Sequence, residues 1–244
     1  MHVSPSTRRS FLKVSGGSLV GASLTGFTYL PSAGASGAST PSTELESPSI
    51  TSSAALRKLL QGNLRFQKGK AIWPDQTPAR RTALAQKQNP FAMIFSCVDS
   101  RVPPELVFDQ GLGDIFTIRT AAHVIDQAAL GSLEFGVAEL HIPLLMVLGH
   151  ERCGAVTATI KAVDSHEEPP GSIRTLVDYI RPAVLAAHGT GATRLDNAVR
   201  LNSKRTVQAL HRSKILHDAF NQGKLTIVAA RYDLDTGAVN LIAS

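Results

Sequence analysis

Four short, unbroken apolar runs constrain this chain more than any other feature. They are Phe91-Ala92-Met93-Ile94-Phe95, Ile115-Phe116-Thr117-Ile118, Pro143-Leu144-Leu145-Met146-Val147-Leu148 and Leu225-Thr226-Ile227-Val228-Ala229-Ala230. None alternates with polar residues, so each reads as a strand buried on both faces rather than one with a wet side. Both faces of such a sheet must be covered, and helical patterns lie between the runs to do so. They span Asp126 to Leu140 (Leu130, Leu133, Val137 and Leu140 in phase), Cys153 to Val163, Ser172 to His188 and Asn197 to Phe220. Two more precede the first run: residues 53–67, in phase through Leu56, Leu59, Leu60 and Leu64, and a helix capped by Thr77 and opened by Pro78 that runs to about Gln88. Strand and helix in alternation predict an α/β protein with a mainly parallel central β-sheet flanked by helices. Asp235-Thr236-Gly237, between two strand-like segments, predicts a hairpin turn that adds an antiparallel edge strand.

The N-terminus reads differently. Thr7-Arg8-Arg9-Ser10-Phe11-Leu12-Lys13 leads into a Gly/Ser-diluted apolar stretch, Val14 to Leu30, and then small residues including Ala33-Gly34-Ala35. This series predicts a removable export signal over residues 1–35, and the paired arginines before Phe-Leu-Lys resemble a twin-arginine signal, an address read by the export machinery. Gly16, Gly17, Gly21 and Gly26 with Ser18, Ser23 and Thr25 make it too polar for a stable span, so no membrane anchor is expected in the mature form. Residues 36–50 are expected to be a disordered linker and residues 51–244 a single catalytic domain. The expected location is exported, periplasmic or extracellular. Of the 25 Lys+Arg against 19 Asp+Glu, Arg8, Arg9 and Lys13 belong to the signal, which leaves 22 cations against 19 acids. That balance gives no basic patch for nucleic acid.

The chemistry-bearing residues cluster at strand ends. Cys97 follows the first run in Ser96-Cys97-Val98-Asp99-Ser100-Arg101, and His150 and Cys153 follow the third in Gly149-His150-Glu151-Arg152-Cys153-Gly154. These are the only two cysteines in the chain. Ligands of open parallel sheets bind at the carboxyl ends of strands. Two sulfurs and an imidazole converging there favour zinc, and three protein ligands leave the fourth tetrahedral position open, as in catalytic sites. Two thiolates and a neutral imidazole cancel the charge of Zn²⁺, so its water is polarised less than in a site with neutral ligands and a second group has to help. Asp99 suits that role, either by accepting a hydrogen bond from the water or by taking the fourth position itself. Arg101 paired with Asp99 keeps the carboxylate ionised and competes with zinc for its oxygens. The other readings are a Cys97–Cys153 disulfide, or a structural, non-catalytic zinc site that would want four Cys/His ligands. His123, His141, His166, His188, His211 and His217 lack ligand spacing and read as surface or core residues, with His123 a candidate proton shuttle.

Cys97-Val98-Asp99-Ser100-Arg101 together with Gly149-His150-Glu151-Arg152-Cys153-Gly154 resembles the signature of the β-class carbonic anhydrases. The likeness extends through Gly62-Asn63-Leu64-Arg65-Phe66, Asp75-Gln76-Thr77-Pro78, Val102-Pro103-Pro104-Glu105-Leu106, Phe108-Asp109-Gln110-Gly111-Leu112-Gly113-Asp114 and Arg119-Thr120-Ala121. Leu130-Gly131-Ser132-Leu133-Glu134 and Tyr232-Asp233-Leu234-Asp235-Thr236-Gly237 continue it. The resemblance implies one Zn²⁺ per chain held by Cys97, His150 and Cys153, with Asp99 and Arg101 as the catalytic pair. It implies reversible hydration of CO₂ to bicarbonate and a proton by zinc-bound hydroxide, in a homodimer or homotetramer. It also implies that Gln88 donates to bicarbonate across the subunit boundary and that Phe116 and Phe135 line the CO₂ pocket. Phe135 stands where a tyrosine is common, and Ala122-His123 replaces a commoner Gly-Asn. Ile94 stands where members with a regulatory bicarbonate pocket carry tryptophan, which favours the open site over one closed by Asp99 as fourth ligand. Hydrolases of carbonyl sulfide or carbon disulfide resemble the same family and are the alternative function.

Overall fold

The computed structural model describes residues 50–242. The expected export signal and, but for Ile50, the expected linker lie outside the described residues. In chain order the elements are α1 (Ser52–Gln67), α2 (Pro78–Leu84), β1 (Ala92–Cys97), α3 (Pro104–Val107), β2 (Ile115–Thr120), a 3-10 turn (Ala121–His123), α4 (Gln127–Ala138) and β3 (Leu144–His150). Then follow α5 (Gly154–Ser165), α6 (Ile173–Leu185), α7 (Gly191–Leu210), α8 (Lys214–Asn221), β4 (Thr226–Tyr232) and β5 (Val239–Ile242).

The strands form one sheet in the order β2-β1-β3-β4-β5. The first four run parallel, and β5 pairs antiparallel with β4 through the expected hairpin. The unbroken apolar runs become intelligible here: β1 and β3 lie in the interior of the sheet and every residue of both is buried. Successive side chains go to opposite faces. Ile94, Met146, Leu148 and Ala230 pack with Ala55 and Leu59 of α1, whereas Met93, Phe95, Leu145 and Val147 pack with Leu133 of α4 and Leu216 of α8. A third cluster, with Val156 of α5, Ile180 and Val184 of α6 and Val199 of α7, surrounds Cys97 and Cys153. Among the described residues no helix is long and apolar enough to cross a membrane.

From β1 the chain passes to β2 on one side and then returns through α4 to β3 on the other. The strand order therefore reverses between β1 and β3, which are themselves paired, Ser96 opposite Leu148. In an open α/β sheet such a reversal opens a crevice at the carboxyl ends. Cys97 and His150 close those two strands.

Two helix boundaries differ from expectation. The helix expected over 197–220 is two: α7 starts earlier, at Gly191, and stops at Leu210, because the Ser213 hydroxyl accepts from Leu216 N–H (3.3 Å) and caps α8 as a new helix. That hydroxyl also donates to Glu134 Oε1 (2.6 Å), tying the break to α4. α2 ends at Leu84 rather than about Gln88; no residue of it is buried, so nothing carries it further against its intrinsic fraying.

The motif around Asn63 proves to be structural. Asn63 is buried, donates to Val107 O (3.0 Å) and Gly237 O (2.8 Å), and accepts from Val239 N–H (2.9 Å), so one side chain joins α1 to α3 and to the hairpin. Asp109, fully buried at its side chain, accepts from Arg65 Nε (2.6 Å) and from the N–H groups of Ile72 and Trp73. Burial pushes its carboxyl up, but these donors outweigh it and hold Asp109 below the ordinary carboxylate range. Its contribution to stability is therefore full above that range and lost as acid takes the pH down through its lowered value. Asp109→Ala is expected to lower the unfolding free energy by about 2 kcal/mol in urea titrations, because the Arg65 guanidinium and two backbone N–H groups lose their shared buried acceptor. A change under about 0.5 kcal/mol, the ordinary surface value, would show that this ion pair contributes nothing.

Candidate metal centre

Cys97 is buried at the carboxyl end of β1, and His150 is buried at that of β3. After His150 the chain turns at Glu151-Arg152, with Arg152 at φ 49°, and delivers Cys153 as the residue capping α5. Cys153 Sγ thereby comes to the other two, and the three ligand atoms all lie within 4.8 Å of one another. The His-x-x-Cys spacing works because the first ligand ends a strand and the second begins a helix.

The imidazole is held in one orientation. His150 Nδ1 lies 2.8 Å from the Glu151 carbonyl oxygen, which can only accept, so Nδ1 carries the proton and donates. Nε2, with its lone pair, is buried and has no hydrogen-bond partner among the described residues. An orphaned buried acceptor is costly, and one facing two sulfurs is the signature of a metal ligand. Glu151 is fixed in turn: its N–H donates to Tyr232 O (2.9 Å), its carboxylate accepts from Leu234 N–H (3.2 Å), and Arg231 pairs with it at 3.4 Å. Arg231 also bonds Asp196 of α7 and Asp233, so a buried ionic network backs the histidine's turn.

Both cysteines are free and buried, which sets aside the disulfide. The hydrogen bond from the Cys153 thiol draws Cys97 far down despite burial, aided by His150 and by the Ala122 N–H. The same contact with Cys97, together with burial, pushes Cys153 up, against the N–H groups of Val156 and Ala155 at the start of α5. Two thiolates this close in a buried place repel, so as one thiol is drawn down the other is pushed up. The N–H groups at the start of α5 pull Cys153 the other way but are outweighed by the Cys97 contact and burial. A divalent, thiophilic cation removes the conflict, so the donor set of two sulfurs and one imidazole nitrogen fits zinc.

Asp99 lies beside the ligand cluster, Oδ2 at 3.8 Å from His150 Nε2. Arg101 grips it in a fork, Nε to Oδ1 at 2.9 Å and Nη2 to Oδ2 at 2.8 Å, with the Arg101 N–H also on Oδ1 at 3.0 Å. This fork, more than any other contact, holds the Asp99 carboxyl well below the carboxylate range, so it is ionised at every ordinary working pH. The sequence suggested the Asp99–Arg101 pair but not the residue that anchors its loop: Arg119 of β2 donates from Nε to Cys97 O (2.8 Å) and from Nη2 to Asp99 O.

Three expected substrate-binding residues are not brought to the ligands within one chain. Gln88 is exposed in the segment before β1. Phe116 is half-buried on the edge strand β2, and Phe135 of α4 is 48% exposed. Neither phenylalanine is among the residues that line the small pocket at Cys97, His150 and Cys153; Ala122, His123 and Asn202 are. His123 does not serve as a shuttle. Its ring is buried, both nitrogens contact hydroxyls of α7, and burial pushes its titration down to about 4, so it neither reaches solvent nor exchanges protons near neutrality. His141, His166, His188 and His217 are exposed, as expected of residues without ligand spacing.

The comparisons with known proteins agree with this geometry. Residues 92–239 match the family model described as carbonic anhydrase. The chain is 43% identical over 195 residues to a carbonic anhydrase of Mycolicibacterium smegmatis, covering 80% of this chain and 95% of that one. It is also 43% identical over 191 residues to carbonic anhydrase 2 of Mycobacterium tuberculosis, covering 78% and 92%. Among solved structures, a Coccomyxa β-carbonic anhydrase in complex with acetazolamide superposes with a TM-score of 0.61 at 25% identity, over 78% of this chain and 86% of that one. A tetrameric β-carbonic anhydrase of Sordaria macrospora gives 0.63 at 20% identity, over 78% and 97%.

Proposed function

This chain belongs to the β class of the carbonic anhydrase family and carries out zinc-dependent hydration of CO₂ to bicarbonate, and from that premise we propose how its own residues do so. Cys97, His150 and Cys153 hold one Zn²⁺ per chain. The observation that carries this is the buried, otherwise unpartnered His150 Nε2 facing two free sulfurs. The ion, when bound, supplies a Lewis acid and an activated water. Asp99, ionised and beside the three ligand atoms, would accept that water's hydrogen bond and orient it. Arg101, which takes both Asp99 oxygens, would hold the carboxylate away from a bound ion, favouring the open over the Asp99-closed arrangement.

Because thiolates damp the charge of the ion, CO₂ hydration is expected to rise with pH on the alkaline side of neutrality. Asp99 is already ionised there, so the rise is not its titration. A profile flat from about pH 6 to about pH 9 would contradict this reading. The test of the activity itself is stopped-flow CO₂ hydration by zinc-quantified protein, with carbonyl sulfide hydrolysis measured on the same preparation. Fast CO₂ turnover at one zinc per chain is expected. Full zinc with turnover of carbonyl sulfide alone would move the function to a sulfur-containing substrate, and full zinc with neither would leave a non-catalytic zinc protein.

The substrate pocket is completed by a second copy of the chain. Ile72 (65% exposed), Trp73 (53%), Val98 (54%) and Phe135 (48%) are large apolar residues left in water by a single chain, and apolar exposure of this kind marks interaction surfaces. A homodimer, or a homotetramer built of two, places Gln88, Phe116 and Phe135 at the boundary where bicarbonate and CO₂ are held. Trp73 is the only tryptophan of the chain and reports directly. Sedimentation is expected to give a dimer or tetramer, with Trp73 fluorescence shifting to the red on dilution. A monomer with full turnover overturns the shared pocket.

The precursor is exported by the twin-arginine route, with residues 1–35 as the signal, 36–50 as a linker and 51–244 as the catalytic domain. Support comes from Arg8-Arg9 before Phe11-Leu12-Lys13 and the small residues ending at Ala35. Export of a folded protein by this route lets the metal be inserted before the thiols meet oxidant. Cell fractionation of R8K/R9K is expected to find the protein retained in the cytoplasm; unchanged export rules the route out.

A further inference from the structure

Immediately after β2 the backbone does something an ordinary sequence avoids. Ala122 (φ 49°, ψ 35°) and His123 (φ 48°) are both left-handed, two in succession, and neither is glycine. Each such residue is strained and survives only where its surroundings over-determine it. Here helix α7 supplies the surroundings. Asn202 Nδ2 donates to Ala122 O (3.0 Å), and the His123 ring lies between Thr206 Oγ1 (3.1 Å, on Nδ1) and Ser203 Oγ (3.3 Å, on Nε2). Ser203 donates its own hydroxyl proton to Val199 O (3.1 Å), so it accepts from His123 Nε2–H, and Thr206 then donates to Nδ1. The neutral ring is thus read by a donor on one side and an acceptor on the other, and leucine or phenylalanine cannot replace it.

The product of this geometry is one contact. The Ala122 N–H points at Cys97 Sγ, 3.3 Å away, in a buried place. Asn202 holds the same turn from α7 through the Ala122 carbonyl, while its Oδ1 has no partner among the described residues. An amide N–H on a thiolate withdraws electron density that the sulfur would otherwise give to a metal, and partners of this kind orient and tune ligands. We propose that the Ala122–His123 turn, pinned to α7 by Asn202, Ser203 and Thr206, is a positioning device that keeps the Ala122 N–H on Cys97 and so limits that thiolate's donation to the metal. His123 and Asn202 are positioning residues that act on Cys97 through the Ala122 backbone.

The proposal rests on Cys97 being a ligand, and Co²⁺ substitution separates the two questions. Wild-type protein loaded with Co²⁺ is expected to show sulfur-to-metal charge-transfer absorption; its absence would remove the ligand assignment. H123L removes both ring contacts and disfavours the left-handed backbone, and N202A removes the anchor on Ala122 O. Both are expected to move the charge-transfer band to longer wavelength, because a Cys97 thiolate freed of the N–H donates more strongly to the metal. H123N, whose side chain tolerates the left-handed region, is expected to restore the band to near its wild-type position. If H123L does not fold, N202A carries the test alone. A wild-type band with unshifted bands in the folded variants overturns the proposal while leaving the metal site intact.

Discussion

H150A is expected to abolish zinc retention and to cut CO₂ turnover by at least about 10³-fold, since the ion supplies several kcal/mol of transition-state stabilisation and each 1.36 kcal/mol is a factor of ten. The effect is large because the imidazole is the only neutral donor among three buried groups placed to hold a metal ion. Its loss leaves only Cys97 and Cys153, whose thiols shift in opposite directions against one another, to hold the ion. Folding should survive: Glu151 keeps its N–H bond to Tyr232 O and its pairing with Arg231, and loses only the donor on its carbonyl. Metal analysis beside stopped-flow rates decides the matter. A variant that keeps one zinc and its turnover would remove His150 from the centre.

D99N separates chemistry from metal binding. The substitution is nearly isosteric and leaves Cys97, His150 and Cys153 untouched, so zinc content is expected to stay at one per chain. Turnover is expected to fall by about 10²- to 10³-fold, the usual size for removing one aimed electrostatic partner from a site. The amide cannot accept both prongs of the Arg101 fork and keep an acceptor for water, because one of its two polar atoms is a donor. Wild-type turnover in D99N excludes the carboxylate from the mechanism; loss of zinc in the same variant would instead make Asp99 a ligand and support the closed arrangement.

Much of the fold was legible because buried parallel strands and amphipathic helices leave strong patterns. The runs at Met93 and Leu145 read as strands covered on both sides and are so, whereas Thr226 and Val228 of β4 and all of edge strand β2 are only half-buried, and the turn at Asp235-Thr236-Gly237 could be read from its residues alone. The break between α7 and α8 escaped because its cause is a single hydroxyl, Ser213, inside a pattern that is helical on both sides. Similarly, α3 and the turn at Ala121–His123 are too short to have a period.

For the site the division is sharper. The residue types and spacings already specified two sulfurs, an imidazole and a carboxylate paired with an arginine, because that chemistry has few other uses at strand ends. The order β2-β1-β3 put Cys97 and His150 on neighbouring strands, and no local pattern encodes which strands are neighbours. Tertiary structure likewise decided the role of His123. Its sequence surroundings permit a shuttle, but α7, some eighty residues further on, closes over the ring and makes it an anchor for the backbone that meets Cys97. Side-chain chemistry is a local property and can be read along the chain. Burial and neighbourhood are not, because they are set by which distant segments exclude water together.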